Sequence, residues 1–188
     1  MRVLCDTSSV LMLLRIAPDI FRDPRYGCVM VQTVYEEITQ KQKFNHKYPW
    51  RREYRKCLKS ITPGELKRRG YGRTFQVVRA LNETTLNEKT DRPYGLSGAD
   101  QRIAAAVVSL ECEVTTGDIN LAAFLEQQFD TRNYSPLELV NEWLEAELIE
   151  WNEARHEVIT DWITQNEAPQ PKAQIQRFER LVGRNYPG

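Results

Sequence analysis

The sequence predicts an α/β fold with a central, mainly parallel sheet, and three observations lead there. Two short apolar runs, RVLC at 2–5 and the strand inside ECEVTTGD, each break off at a loop carrying an aspartate, Asp6 or Asp118, as buried parallel strands do. Each is followed by an apolar, helix-compatible stretch, SSVLMLLR and INLAAFLEQQF. Strands that alternate with helices pair in parallel through crossovers.

The elements follow in order. After the first strand and helix, CVMV at 28–31 reads as a second strand, and QTVYEEITQK as a short helix capped by Thr33 with Val34 and Ile38 on one side. Residues 41–95 are polar and basic, punctuated by Pro63-Gly64, Gly70, Gly72, Pro93 and Gly95, which predicts two or three helices separated by turns. LSGADQRIAAAVVSL has Ser97 placed to cap and Asp100 three residues on, a helix start signal. Ser135-Pro136-Leu137-Glu138 opens a long helix whose apolar positions run from Val140 through Leu144, Leu148, Trp151 and Val158 to Trp162. Pro169 and Pro171 end it before a shorter helix around Ile175, Phe178 and Val182.

At 188 residues, with 41% hydrophobic and 28% charged residues, the chain suits one globular core with a small appendage. No apolar run approaches the roughly 20 residues of a membrane helix, and the start lacks signal-peptide features, so no membrane partner and a cytoplasmic location are expected. Cys5, Cys28, Cys57 and Cys112 form no C-x-x-C pair and are expected to be ordinary buried thiols. A net charge of zero conceals an asymmetry: residues 41–73 hold twelve Lys or Arg against Glu53 and Glu65, whereas residues 138–161 hold eight acids against Arg155.

In parallel α/β sheets ligands bind beyond the carboxyl ends of the strands. Asp6 and Asp118 stand at two such ends, and Asp100, in the first turn of the helix before the second, is expected to reach the same place. Converging carboxylates repel one another unless some are protonated or a cation sits between them. Mg2+ or Mn2+ would fit, since hard ions take oxygen ligands and can activate water against a phosphodiester. Each acid also has a plain role open to it, Asp100 in a capping box and Asp6 and Asp118 as turn formers.

Four segments, VLCDTSSVLMLL, VQTVYEEI, LSGADQRIAAAV and VTTGDINLAAF, followed by YSPLELV, resemble in order and spacing the PIN-domain nucleases, which include the toxins of toxin-antitoxin pairs. The likeness covers residues 1–142 and leaves 143–188 as a C-terminal helical extension. It implies a three-layer α/β/α fold and a metal-dependent endoribonuclease, with RNA as substrate and, for a toxin, an antitoxin as protein partner. It makes Asp6, Glu37, Asp100 and Asp118 the catalytic and metal-site acids, with Thr7, Ser9 and Thr116 as supporting hydroxyls. Glu37 is preferred to Glu36 because it directly precedes Ile38 and, at about 100° per residue, borders the Val34/Ile38 stripe. Many relatives carry a further acid where this chain has Asn120, which weakens the case for a second metal.

The stretch KQKFNHKYPWRREYRKCLK interleaves cations with Phe44, Tyr48, Trp50 and Tyr54. Cations neutralise phosphates and exposed rings stack on bases, so Lys47, Trp50, Arg51, Arg52 and Arg55 are candidate nucleic-acid contacts. A solvated helix with its aromatics turned to the core explains the same pattern. The extension, with Trp143, Trp151 and Trp162, would dock on its own domain, pair two protomers as a homodimer, or bind a partner helix. Beside the nuclease stands a noncatalytic PIN-like module that binds RNA or protein. A Rossmann-like nucleotide binder is disfavoured because no G-x-G-x-x-G or Walker loop follows the first strand.

Overall fold

The computed structural model describes residues 2–165, 167 and 169–187. Strand β1 (Val3–Cys5) lies between β2 (Cys28–Val29) and β5 (Glu113–Thr115) in a parallel sheet of order β2-β1-β5. The register sets Val3 beside Cys28 and Glu113. All three residues of β1 are buried, which is why its sequence is continuously apolar rather than alternating. Helix α1 (Thr7–Leu13) follows at once, and Ser9 through Leu13 are all buried, as expected of a helix apolar all round.

The chain returns through a short 3₁₀ turn at Pro24–Tyr26, ended by Gly27 in the left-handed conformation (φ 70°), into β2. Helix α2 (Gln32–Gln40) buries Val34 and Ile38. Its N-cap is Val31, with no side-chain cap, so Thr33 sits inside the first turn and does not cap as expected. The basic region forms α3 (Phe44–Lys47), a 3₁₀ stretch at Pro49–Cys57, α4 (Pro63–Arg68) and α5 (Tyr71–Thr84). A small antiparallel pair, β3 (Leu86–Asn87) and β4 (Arg92–Pro93), precedes α6 (Gly98–Leu110), against which α5 packs. The capping box of Ser97 and Asp100 is formed, and Ile103 through Val107 are buried. Helix α7 (Ile119–Phe129) follows β5.

Helix α8 (Pro136–Glu145) starts at Ser135 as expected, but the long helix does not continue. Glu147 adopts a left-handed φ of 54° and Leu148 N–H turns back to Trp143 O at 2.9 Å, closing the helix end. Asn152 then caps a separate α9 (Glu153–Thr164) by accepting from Arg155 N–H at 3.0 Å. The break swings Ile149 into the core. Helix α10 (Lys172–Val182) buries Phe178 and packs on α8.

The extension docks on the first helix of its own chain. Trp162, 4% exposed, donates Nε1–H to Met12 O at 3.1 Å, and Arg155 Nε donates to Ile16 O at 2.9 Å. Asp161 pairs with Arg15 at 2.5 Å. Cys5, Cys28 and Cys112 are buried, Cys57 is half-buried, and all four are free thiols. Among the described residues no helix is long and apolar enough to cross a membrane.

Candidate functional site

Asp6 begins the site because β1 ends there and α1 begins there. Its carboxylate is buried, 8% exposed, and receives several donors. Oδ1 accepts Ser9 N–H at 2.7 Å as the helix cap, the Ser8 hydroxyl donates to Oδ1 and Oδ2 at 2.9 and 3.0 Å, and the Thr116 hydroxyl donates to Oδ2 at 2.7 Å. A buried carboxylate is tolerated only with such compensation. Ser9 ties the same strand ends together, its hydroxyl donating to Thr115 O at 3.0 Å.

Thr116 also ties the backbone of Asp118 to this end of the sheet, its Oγ1 accepting Asp118 N–H at 3.0 Å. Asp118 is exposed and caps α7, Oδ1 accepting Leu121 N–H at 2.8 Å. The β5 loop is held from behind by Asn133, which accepts Thr116 N–H at 3.0 Å and donates to Thr116 O at 3.2 Å. On the other flank, Thr7 Oγ1 donates to Glu37 Oε2 at 2.7 Å. Glu37 is turned inward while Glu36 is exposed and taken up by Gln32, the division expected from their helical positions. Glu37 also pairs with Lys41, one turn on, and lies 3.8 Å from Lys43. Burial pushes its pKa up, but hydrogen bonds from Lys41 and Thr7 and the two lysine charges outweigh this and hold it below the ordinary 4.5.

Asp100 takes no part in this row of bonds. Its Oδ2 accepts Ser97 N–H at 3.1 Å and the Ser97 hydroxyl at 2.6 Å, the capping role that its position allowed. Its neighbours Ala99 and Ile103 do line a cleft of about 330 Å3 together with Glu37 and Lys41, so the start of α6 faces α2 across that cleft. The expected meeting of three or four carboxylates is not formed: among the described residues no three His, Cys, Asp or Glu side chains stand close enough to hold a metal ion. Instead, Asp100 Oδ2 takes up Ser97, Asp118 Oδ1 caps α7 and Glu37 is engaged by lysine. The remaining donors, carboxylates and hydroxyls, suit a hard cation that keeps waters and takes one or two carboxylates, not a closed protein cage.

The basic segment is organised differently from the expectation. Arg51 is 3% exposed and donates to Ile38 O at 2.5 Å, Lys41 O at 2.9 Å and Asn45 Oδ1 at 2.9 Å, closing the end of α2. Its candidate role in nucleic-acid contact is therefore replaced by a structural one. Tyr48 is buried, and Trp50, half-buried, meets the edges of Tyr48 and Tyr54 with Arg15 5.5 Å over its ring. The aromatics thus face the core, which the solvated-helix reading expected. Lys47 pairs with Glu167 at 2.8 Å, and Glu167 also accepts the Tyr48 hydroxyl. Burial and Glu167 push the Tyr48 pKa up to about 12. Arg52 and Arg55 remain exposed.

Three residues of the site were not among the candidates read from the sequence, and two of them carried weak signals. Ser8 lies within DTSS beside Asp6, and Lys41 stands four residues after Glu37, a spacing that pairs charges on a helix. Asn133 is 17 residues from Thr116 and offered no local signal. Compared with family models, with curated proteins and with solved structures, the chain matches none.

Proposed function

We propose that the protein is a PIN-like endoribonuclease that hydrolyses RNA phosphodiesters with the aid of Mg2+ or Mn2+. The observation that carries this reading is the buried Asp6 carboxylate at the carboxyl ends of two adjacent parallel strands, fixed by Ser8, Ser9 and Thr116, with the backbone of Asp118 tied to Thr116. Asp6 and Asp118 would hold the cation, which when bound lowers the pKa of a water and offsets charge on the phosphate. Asp6 is held in one orientation by its donors, Ser9 N–H and the hydroxyls of Ser8 and Thr116. Thr116 links the Asp6 carboxylate to the backbone of Asp118 through one hydroxyl. Glu37, with Lys41 beside it, flanks the cleft toward Asp100 and would orient water or substrate there.

A noncatalytic RNA-binding module is the second reading, and the engagement of Glu37 by Lys41 and Lys43 favours it. The two separate in one experiment. Labelled single-stranded RNA is incubated with the full chain and Mn2+ or Mg2+, and the same is done with Asp6→Asn and Asp118→Asn. The nuclease reading expects cleavage that needs the metal and falls at least about 100-fold in Asp6→Asn, the scale of losing a charge-stabilising group. Salt-sensitive binding without turnover would establish the binding module instead.

A further inference from the structure

A second cleft, of about 480 Å3, opens at the amino-terminal end of the sheet, opposite Asp6. It exists because the segment Lys59–Ile61 joins the sheet edge late. Ile61 N–H donates to Met30 O at 2.8 Å and Ile61 bridges Val31, but among the described residues the pairing does not reach back to Cys28. Val3 N–H is bonded to Gly27 O at 2.9 Å, so in this parallel ladder Cys28, the next residue along, turns its own N–H and C=O to the outer edge, where the cleft lies.

The charges lining the cleft are unevenly answered. Glu65 is taken by Arg2 at 3.3 Å, and Asp23 by Arg25 at 2.6 Å. Arg22 and Lys59, both exposed, have no side-chain hydrogen bond or ion pair among the described residues. Two cations with no partner among the described residues therefore share a cavity with an apolar wall of Val29 and Ile61 and with the outward-turned backbone N–H and C=O of Cys28. The volume falls within the range of small-ligand sites.

We propose that this cleft binds a nucleotide bearing a terminal phosphate. Arg22 and Lys59 meet the phosphate, a dianion matched by two cations. The base lies on the wall of Val29 and Ile61, and the Cys28 backbone pair is placed to hydrogen-bond a polar edge of base or ribose. The phosphate belongs either to a free mononucleotide or to the end of an RNA strand, since both present the same group. The site is independent of hydrolysis at Asp6.

Isothermal titration of the full chain without divalent metal tests this, using AMP, adenosine, inorganic phosphate, and one short RNA with and without a 5′ phosphate. AMP is expected to bind at least about 10-fold more tightly than adenosine or inorganic phosphate, the scale of hydrogen bonds to a charged group. The double variant Arg22→Gln/Lys59→Gln, with an unchanged circular dichroism spectrum and melting temperature, loses that binding, and Asp6→Asn keeps it. A phosphorylated RNA that outcompetes AMP, and depends on the same two residues, identifies a strand end; AMP alone binding identifies a free nucleotide. Absence of AMP binding at millimolar concentration, binding unchanged in the double variant, or adenosine or inorganic phosphate binding as tightly as AMP would overturn the proposal.

Discussion

Thr116 donates its hydroxyl to Asp6 Oδ2 at 2.7 Å and with the same oxygen accepts Asp118 N–H at 3.0 Å, so one side chain links the Asp6 carboxylate to the backbone of Asp118. Replacing it by valine keeps the shape and removes both bonds. Thr116 is 5% exposed, and the Asp6 oxygen it served would lose a donor in a buried setting. Thr116→Val is expected to cost about 1–3 kcal/mol, read from urea denaturation. If the proposed chemistry holds, cleavage falls as well while RNA affinity stays.

Arg51 gives the second expectation. Its guanidinium serves two carbonyls at the end of α2 and Asn45. Arg51→Ala strands those acceptors and is expected to destabilise the fold by roughly 2–4 kcal/mol. Arg51→Lys recovers little of this, because a single ammonium does not reproduce the fork. Arg55→Ala, at an exposed position, should leave stability within about 0.5 kcal/mol and lower RNA affinity in a salt-dependent way if the segment binds RNA. Thermal melts and filter binding on the pair separate scaffold from surface.

This contrast also marks what the sequence made legible. The parallel strands, the starts of α6 and α8, and the inward turn of Glu37 followed from local patterns such as apolar runs, capping residues and helical phase. Arg51 did not, because its partners at Ile38 and Lys41 belong to another helix end and nothing in a run of basic residues tells a buried guanidinium from a solvated one. Asp100 was readable in both of its roles, and only the geometry shows the carboxylate bonded to Ser97. The break between α8 and α9 was obscured because apolar residues keep helical spacing across it. Asn152, three residues before the N–H it caps, was the available sign.

Glu37 predicts a pH effect. Its carboxyl pKa lies below the ordinary 4.5 in the fold, so the ionised side chain stabilises the native state at pH above 4.5 and that contribution is lost as pH falls through the lowered value. The Lys41 side chain is 49% exposed, and screening keeps the gain to about 0.5–1 kcal/mol. Glu37→Gln should therefore lower the melting temperature slightly at neutral pH. The difference from wild type should shrink toward zero on acidification, measured by melts at low salt across the acid range. A difference independent of pH would assign the loss to the Thr7 hydrogen bond instead.

The last expectation concerns residues 143–188, whose helix α9 closes over α1. Nothing in α1 is amphipathic: Ser9 through Leu13 are buried together, so the helix needs cover beyond the sheet. That cover includes Trp162, which fills space against α1 and satisfies Met12 O, and Arg155, which satisfies Ile16 O just past the helix end. Carbonyls near a helix end lack partners in the helix itself and cost free energy if buried unbonded. Trp162→Ala should then cost about 3–5 kcal/mol, combining lost burial with a cavity. Trp162→Phe should cost less, retaining an aromatic ring while losing the N–H donated to Met12. A chain cut after residue 142 would expose the same face of α1 and should melt well below the intact protein or fail to unfold cooperatively in calorimetry. An equal melting temperature would instead make the tail an appendage that the domain does not need.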